Sequence, residues 1–260
     1  KITDQLSGRM MGVRADITPQ VARLDAHVIP VEGPARYCYA GTTLNTRPAS
    51  MAASRCPVQI GAELYGYAGV AGDIEVLRLM LDTLALAGCR DIHLDLGHVA
   101  LFRGLTTAAG ISGRDEDTLF DIYQRKAAAE LREFLAARGL PAPLNRCFEG
   151  LLRLAGGAAV LGKARELLQG VSAGIDAALD ALDAVVAALA ASHPGITLYV
   201  DLTELRGYHY HTGLVFAAYA PGTRAELAKG GRYDHVGEAF GRARAATGFS
   251  ADLKALLAFG

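Results

Sequence analysis

Apolar and polar residues alternate most clearly over positions 57–66, where the pattern predicts a β-strand. The even-numbered positions from Val58 to Leu64 are apolar, whereas Gln59 and Glu63 lie on the opposite side. A strand with one apolar and one polar face suits a sheet that covers a core on one side and holds a ligand on the other.

Two segments in the first third of the chain show a helical period instead. Thr18 and Pro19 predict a helix start, because threonine can cap free amides and proline suits the first turn. Pro30 predicts the end of that helix. A second helix is predicted over residues 73–86, with apolar residues on one stripe and Gly88 as its terminator.

The rest of the pattern predicts an α+β fold. Further strands are predicted at residues 36–42, 91–97, 196–202 and 212–219. The pair Gly230-Gly231 predicts a tight turn before a short helix, and Gly248 predicts the start of a final apolar helix. Because strands precede and follow a block of helices, the order favours α+β over a doubly wound sheet.

The same order predicts three parts along the chain. Residues 1–101 form the first part of a sheet-containing core, residues 102–194 form an all-helical insertion, and residues 195–260 complete the core. The insertion is predicted from its Ala-, Leu-, Glu- and Arg-rich composition and helical periodicity.

Composition narrows the class of protein. The chain has 260 residues, 51% of them hydrophobic and 20% charged, which is typical of a folded globular protein. The net charge is -1 and no cluster of five or more Lys or Arg occurs, so no nucleic-acid partner is expected. No apolar run is long enough to span a bilayer, so no membrane partner is expected.

The four cysteines carry no Cys-x-x-Cys pair and are expected to be reduced packing residues of a cytoplasmic protein. The first residues resemble neither a signal peptide nor a translation start, which fits a fragment of a longer chain.

Four stretches carry polar groups beside glycines or at strand ends. They are residues 14–20, Gln59 with Glu63, residues 204–211, and residues 229–234. Together they supply carboxylates, an amide and the guanidinium of Arg206. A small zwitterion needs such a set for its ammonium and its side chain, so the pattern predicts a polar pocket.

Structural interpretations of these residues remain open from the pattern alone. Thr18 can be a helix cap and nothing more. Gln59 and Glu63 can face solvent at a sheet edge, and Arg206 can be a surface charge.

Catalytic and metal chemistry find less support in the sequence. His209 and His211 could share a strand face and bind zinc, but a third ligand with recognisable spacing is lacking, so no metal is expected. Gly230-Gly231 lacks a P-loop pattern, so a tight turn is favoured over a phosphate cradle. No Ser-His-Asp or Cys-His arrangement is legible, and neither a catalytic residue nor a cofactor is expected.

Taken together and in order, the four stretches resemble the histidyl-tRNA synthetase family. The matching segments are Val13-Arg14-Ala15-Asp16-Ile17-Thr18, Gln59-Ile60-Gly61-Ala62-Glu63-Leu64-Tyr65-Gly66, Leu205-Arg206-Gly207-Tyr208-His209-Tyr210-His211-Thr212-Gly213, and Gly230-Gly231-Arg232-Tyr233-Asp234 followed by Ala246-Thr247-Gly248-Phe249. The resemblance implies a class II aminoacyl-tRNA synthetase-like antiparallel sheet with flanking helices and a helical insertion.

The resemblance also implies a set of histidine-facing residues: Asp16, Thr18, Gln59, Glu63, Arg206, Tyr210, His211 and Tyr233. Asp16 is one methylene shorter than the usual glutamate of the family. His211 stands where synthetases of the family have tyrosine, which puts tight histidine recognition in doubt.

Two departures from the family concern ATP. Asn45 stands where the motif 2 arginine that grips the α-phosphate is expected, in the loop Thr42-Thr43-Leu44-Asn45-Thr46-Arg47-Pro48, which is one residue short. In motif 3, Asp252 replaces a glycine and Ala255 replaces the arginine that holds the γ-phosphate. Because losing one such donor typically lowers a rate about 10²–10³-fold, adenylation is not expected, although Arg47 could substitute for one of them.

A chain with an amino-acid pocket and no ATP clamp is similar to the family's paralogues in histidine biosynthesis, the regulatory subunits of ATP phosphoribosyltransferase. The resemblance implies a non-catalytic subunit that self-associates, binds a short-form catalytic subunit as its partner in the first step of the pathway, and responds to histidine as an inhibitory effector. Two alternatives stay open: a catalytic-core fragment of histidyl-tRNA synthetase, and a free-standing amino-acid-binding paralogue that acts on another enzyme.

Overall fold

The computed structural model describes residues 2–47, 54–223 and 225–259. Its strands are β1 (Ile2–Thr3), β2 (Met10–Met11), β3 (Ala35–Thr42), β4 (Val58–Tyr65), β5 (His93–His98), β6 (Ala155–Gly156), β7 (Thr197–Asp201), β8 (Leu214–Tyr219), β9 (Ala228–Arg232) and β10 (Ala246–Asp252). Its α-helices are α1 (Thr18–His27), α2 (Val70–Leu86), α3 (Val99–Ala108), α4 (Arg114–Gln124), α5 (Ala128–Arg138), α6 (Ala142–Leu151), α7 (Val160–Leu168), α8 (Ala173–Ser192) and α9 (Leu253–Phe259), with a 3₁₀ helix at Val236–Phe240.

One sheet of eight strands organises the fold, in the order β3-β4-β10-β9-β8-β5-β7-β6. Neighbouring strands are antiparallel except β5 and β7, which are parallel. That pair is joined through the long helical block, as a parallel connection requires. The α+β prediction is confirmed, and the predicted antiparallel sheet holds for every pair but this one.

The alternation read in the sequence decides which face of the sheet covers the core. Leu64 of β4, Leu94 and Leu96 of β5 and Val200 of β7 are buried in one continuous hydrophobic cluster with α2, α3 and α8. Burial of one such leucine stabilises the fold by about 2 kcal/mol. The opposite face of β4, which carries Glu63, is therefore left for polar groups.

Six helices, α3 to α8, occupy the region predicted as an insertion. The first of these helices, α3, begins at Val99, where the His98 imidazole Nδ1 accepts a hydrogen bond from the Ala100 amide at 3.3 Å and caps the helix. The short strand β6 lies within the block, and the buried residues of these helices belong to the same hydrophobic cluster as the sheet. The division at residues 102 and 194 stays a prediction. Among the described residues, no helix has the length and apolar character needed to cross a bilayer.

Two glycine-based predictions are wrong. Gly230 and Gly231 lie inside β9, not in a turn, and Gly248 lies inside β10, with the last helix starting only at Leu253. A side chain at Gly230 would bring a Cβ within 2.8 Å of the Phe216 ring, so glycine is required there by close packing rather than by a turn. The glycines are thus explained by close packing across the sheet and not by a turn.

A small hairpin stands apart from this sheet. β1 and β2 pair antiparallel through Ile2 with Met11 and Thr3 with Met10, and all four residues are exposed. The sequence did not predict this hairpin, because strands of two residues are too short to show a period.

Candidate functional site

A cavity of about 280 Å³ opens at the polar face of the sheet. Its lining residues are Asp16, Thr18, Glu63, Glu204, Arg206, Gly207, Tyr210, His211, Val215, Phe216, Lys229, Gly230, Tyr233, Gly248, Phe249 and Ser250. They come from the start of α1, from β4, β8, β9 and β10, and from the turns between β7 and β8. The cavity thus joins segments that lie far apart in the sequence.

Thr18 contributes a side-chain contact to this cavity and is not the cap of α1. The helix is capped at Ile17 without a side-chain hydrogen bond. The Thr18 hydroxyl instead donates to Glu63 Oε1 at 2.9 Å and lies 3.3 Å from the Tyr39 hydroxyl. The interpretation of Thr18 as only a helix cap is therefore wrong.

Glu63 is a buried carboxyl group, 3% exposed, on a strand enclosed between β3 and β10. The sheet-edge interpretation is therefore wrong for this residue. Burial raises the pKa of Glu63 to about 8, and the nearby Asp16 carboxylate contributes in the same direction. In the part of the chain that the structure describes, Glu63 Oε2 has no hydrogen-bond partner. The approach of a positively charged ligand would lower this pKa and let the ionised Oε2 accept a hydrogen bond from the ligand.

Tyr233 brings a second unpartnered group to the same place. Its buried hydroxyl has no hydrogen-bond partner within residues 2–47, 54–223 and 225–259. A Cβ placed on Gly248 would overlap both Glu63 Oε2 and this hydroxyl, so both atoms lie above Gly248. The absence of a side chain at Gly248 keeps this end of the cavity open.

Gln59 is the predicted site residue that does not line the cavity. Its Nε2 donates to Asp16 Oδ1 at 2.7 Å and its Oε1 accepts from the Ile17 amide at 2.9 Å. The amide group therefore fixes the segment that carries Asp16 and Thr18. Gln59 positions these lining residues rather than lining the cavity itself.

Arg206 lies at the other end of the cavity and is held by two neighbours. Its backbone amide donates to Glu204 Oε1 at 2.8 Å, and its Nη2 donates to the Tyr219 hydroxyl at 2.9 Å and to Glu204 Oε2 at 3.3 Å. Its Nη1 has no partner among the described residues. Arg206 is thus a half-buried, oriented guanidinium and not a free surface charge.

Aromatic side chains form one wall between these ends. The Tyr210 and Tyr233 ring centroids lie 5.1 Å apart, and Tyr210 meets His211 edge-on at 5.4 Å. Burial lowers the pKa of His211 to about 4, so its imidazole is neutral near pH 7 and Nδ1 donates to the Arg232 carbonyl at 3.2 Å. A flat ring of a ligand could stack against such a wall.

Seven of the eight predicted site residues therefore line one cavity, and their role as ligand contacts stays a prediction. Sequence reasoning did not select Glu204, Lys229, Phe249 and Ser250. Glu204 and Lys229 lie inside stretches that the sequence marks by their polar groups. Ser250 lies in β10, where the sequence predicts a helix. The alternation of apolar and polar residues over 249–252 is the signal that could have found it.

The two histidines considered as metal ligands diverge. Residues 206–210 form turns and His211 follows them outside any strand, so His209 and His211 do not share a strand face. His209 packs near Phe120, whereas His211 faces Tyr233. Within residues 2–47, 54–223 and 225–259, no group of three or more His, Cys, Asp or Glu side chains is arranged to hold a metal ion.

The family model described as histidyl-tRNA synthetase matches residues 1–256 of this chain. The chain belongs to the histidyl-tRNA synthetase family.

Within this family the chain is similar to proteins named for a regulatory role. It is 54% identical over 257 residues to the ATP phosphoribosyltransferase regulatory subunit of Thioalkalivibrio sulfidiphilus, a match that covers 99% of this chain and 65% of that relative. The chain therefore spans about two thirds of the length of this curated relative.

Solved structures agree on the fold. An ATP phosphoribosyltransferase regulatory subunit/histidyl-tRNA synthetase from Bacillus halodurans matches with a TM-score of 0.85 and 28% identity, covering 99% of this chain and 66% of that chain. The ATP phosphoribosyl transferase complex from Thermotoga maritima matches with a TM-score of 0.74 over 97% of this chain and 84% of that chain. At 18% identity, this second likeness concerns the fold alone.

The departures from the synthetase pattern can now be located in the structure. Asp252 does not point at an open phosphate site: its Oδ1 accepts from the Val58 and Lys254 amides, both at 3.1 Å. It thereby caps α9 and secures the start of β4. Ala255, in the first turn of α9, has no group that could hold a phosphate.

The shortened motif 2 loop is closed at its base. The backbone amide of Asn45 donates to the backbone carbonyl of Arg55 at 2.8 Å, and Arg55 Nε donates to the backbone carbonyl of Asn45 at 3.3 Å. Arg47 is exposed, and Pro48, the last residue of the loop segment read in the sequence, lies outside the described residues. Asn45 thus takes part in loop closure through its main chain, and its correspondence to the synthetase arginine stays a prediction.

Proposed function

We propose that this chain is the synthetase-like core of a regulatory subunit of ATP phosphoribosyltransferase, without chemistry of its own. The observation that carries the proposal is the 54% identity to a protein of that name across 99% of the chain. Its work is to assemble with a short-form catalytic subunit, support the first step of histidine biosynthesis, and transmit inhibition by histidine. In this proposal the partner is the glycosyltransferase that catalyses the reaction, and the chain is its non-catalytic regulatory subunit.

The ATP-binding side of the fold supports the choice over a catalytic-core fragment of histidyl-tRNA synthetase. Ala255, in the first turn of α9, supplies no cation for a triphosphate, and Asp252 carries a negative charge at the start of the same helix, where it accepts from the Lys254 amide. Because a phosphate clamp works by fixed positive charge, both changes act against adenylation.

The cavity supports histidine as the effector. Asp16 and Glu63 offer carboxyl groups to cationic nitrogens, and Arg206 offers a guanidinium to a carboxylate. The wall of Tyr210 and Tyr233 suits a planar ring. For inhibition, histidine has to bind one state of the complex more tightly than the other, since equal affinity shifts no equilibrium.

The hairpin β1–β2 supports self-association. Ile2 and Met11 are paired and exposed at 56% and 52% in the protomer. A two-stranded hairpin alone is at best marginally stable in water, so a second copy of the chain is the natural cover for it.

A reducing compartment such as the cytoplasm fits the cysteines. All four, Cys38, Cys56, Cys89 and Cys147, are free, and the first two are exposed. Exposed thiols without a bridging partner are typical of proteins that work under reducing conditions.

The test combines binding and assembly. The intact protein is titrated calorimetrically with histidine and with ATP, then added to the short-form catalytic subunit in a phosphoribosyl-transfer assay. We expect binding of histidine, no saturable binding of ATP, and activation of the partner that histidine reverses. Formation of histidyl-adenylate would overturn the proposal and favour the synthetase.

Variants locate the effector. Glu63→Gln should weaken histidine binding and make the complex less sensitive to histidine. Glu238→Gln, which removes an exposed carboxylate paired with His235, serves as the control and should change neither. If Glu63→Gln leaves both unchanged while activation persists, the effector binds elsewhere in the complex.

A further inference from the structure

Ionisable groups of both signs line the cavity. Asp16, Glu63 and Glu204 line it on the acidic side, and Arg206 and Lys229 on the basic side. Lys229 is already engaged, since its Nζ lies 2.6 Å from a carboxylate oxygen of Glu226, three residues earlier in the chain. Because Nη1 of Arg206 is buried and has no partner among the described residues, Arg206 is the cation best placed to receive the carboxylate of a ligand.

Arg206 itself is partly neutralised by a neighbour two residues away. Glu204 lies 3.3 Å from its Nη2 and also accepts its backbone amide, so the carboxylate is held against the guanidinium by two hydrogen bonds. Partial burial lowers the pKa of Arg206, but the Glu204 carboxylate and the Tyr219 hydroxyl outweigh burial and raise it overall. The pair is thus a close internal ion pair inside the ligand cavity.

Glu204 is fixed in this position by the fold. Its Cβ packs so closely over Gly97 of β5 that a side chain there would clash with it. Its own side chain is 19% exposed, against 34% for Arg206. A ligand carboxylate that approaches Arg206 therefore approaches the Glu204 carboxylate as well.

We propose that Glu204 sets the ligand selectivity of the cavity by opposing the carboxylate of a bound amino acid, so that the site holds its ligand mainly by the cationic end. The inference rests on the proposed histidine site and adds a specificity-determining residue to it. Two like charges that lie close together in a partly enclosed cavity repel more strongly than they would in bulk water. Glu204 thereby keeps the affinity for a free amino acid moderate and lets a ligand without a carboxylate compete.

The test compares histidine with histidinol, which carries a hydroxymethyl group in place of the carboxylate, by calorimetric titration of the intact protein. We expect the two ligands to bind the unaltered protein within about threefold of each other. Glu204→Gln keeps an acceptor for the Arg206 amide and removes the charge. It should tighten histidine binding about tenfold, equivalent to about 1.4 kcal/mol, and leave histidinol binding within twofold.

Two further variants complete the comparison. Arg206→Met in the Glu204→Gln background should abolish the gain for histidine, and Glu238→Gln, which removes a carboxylate outside the cavity, should leave both affinities unchanged. Thermal unfolding of each variant verifies that it is folded.

The outcomes separate this inference from the proposed function. If Glu204→Gln weakens histidine binding, Glu204 serves to orient Arg206 for the carboxylate, and the inference is overturned while the histidine site stands. An equal change for both ligands also overturns it. If the unaltered protein binds neither ligand, the histidine site and the inference fall together.

Discussion

At the scale of single residues, the cavity retains polar groups that the protein leaves unsatisfied. Glu63 Oε2 and the Tyr233 hydroxyl are buried without partners among the described residues. Such groups cost about 1–3 kcal/mol each relative to a satisfied arrangement. If the cavity binds a ligand as we propose, these two groups are available to it.

The buried carboxyl group makes stability depend on pH. The pKa of Glu63 is about 8 in the folded protein against an ordinary 4.5, chiefly because of burial, with Asp16 adding to it. The Thr18 hydroxyl donates to this carboxyl group, and the Tyr39 hydroxyl lies 3.3 Å from the Thr18 hydroxyl. Since the folded state holds the proton more tightly than the unfolded chain, stability is highest at low pH within this window and declines as pH rises from about 4.5 to 8.

Glu63→Gln should remove this dependence. Relative to the variant, the unaltered protein should lose roughly 2–4 kcal/mol of unfolding free energy between pH 5 and pH 8, at about 1.4 kcal/mol for each unit of pKa. Urea denaturation of both proteins across that range measures the difference. Parallel pH profiles for the two proteins would show that Glu63 keeps its ordinary pKa.

At the scale of elements, β10 needs a glycine at position 248 because the Glu63 and Tyr233 side chains lie directly over it. A Cβ at Gly248 would overlap Glu63 Oε2 of the neighbouring strand β4, with which Gly248 is paired in register. Gly248→Ala should therefore destabilise the protein by about 1–3 kcal/mol and close the cavity to its ligand.

A second glycine provides the matched control. Gly162 lies inside α7, and a Cβ built there meets nothing within 4 Å. Gly162→Ala should stabilise by about 0.5–1 kcal/mol, because alanine restricts the unfolded chain and favours helix. Both variants are compared by thermal and urea unfolding. Similar effects of the two substitutions would mean that the close approach at Gly248 is relieved at little cost.

The same strand shows how far the sequence could predict the fold. The period of two over β4 and the helical stripe of α2 identified both elements within three residues, because each buries one clear face. At β10 the sequence wrongly predicts a helix start at Gly248. The cause of this glycine is its contact with Glu63, 185 positions earlier, which the local sequence pattern cannot show.

The candidate site followed a similar division. Residues with distinctive chemistry in recognisable segments, such as Thr18 and Arg206, were found together in the cavity. Glu204 was passed over because its significance depends on a contact with Arg206 that only the turn after β7 creates. The sequence predicts Gln59 as a lining residue, but its side chain bonds to Asp16 instead of reaching the cavity. That orientation depends on side-chain geometry, which the sequence pattern does not show.

At the scale of the whole molecule, apolar exposure is concentrated near the N-terminal hairpin. Ile2, Leu6, Met10, Met11 and Val13 are all exposed large hydrophobic residues, between 45% and 99%. Single exposed residues of this kind are ordinary, whereas this run of them is the surface through which we propose that the chain self-associates. In the proposed dimer, a second copy of the chain covers this hairpin.

Met11→Lys tests that interface. The side chain is 52% exposed and pairs in register with Ile2, so a lysine there is solvated in the protomer but would carry its charge into an apolar contact. We expect the variant to fold with unchanged thermal stability as a protomer and to weaken dimerisation at least tenfold, measured by sedimentation equilibrium over a range of concentrations. The control is Leu86→Lys at the end of α2, where the residue is 90% exposed and lies outside the hairpin. Because both variants add one positive charge at an exposed apolar residue, a selective effect of Met11→Lys would locate self-association at the hairpin, whereas an unaltered protein that stays monomeric at tens of micromolar would exclude it.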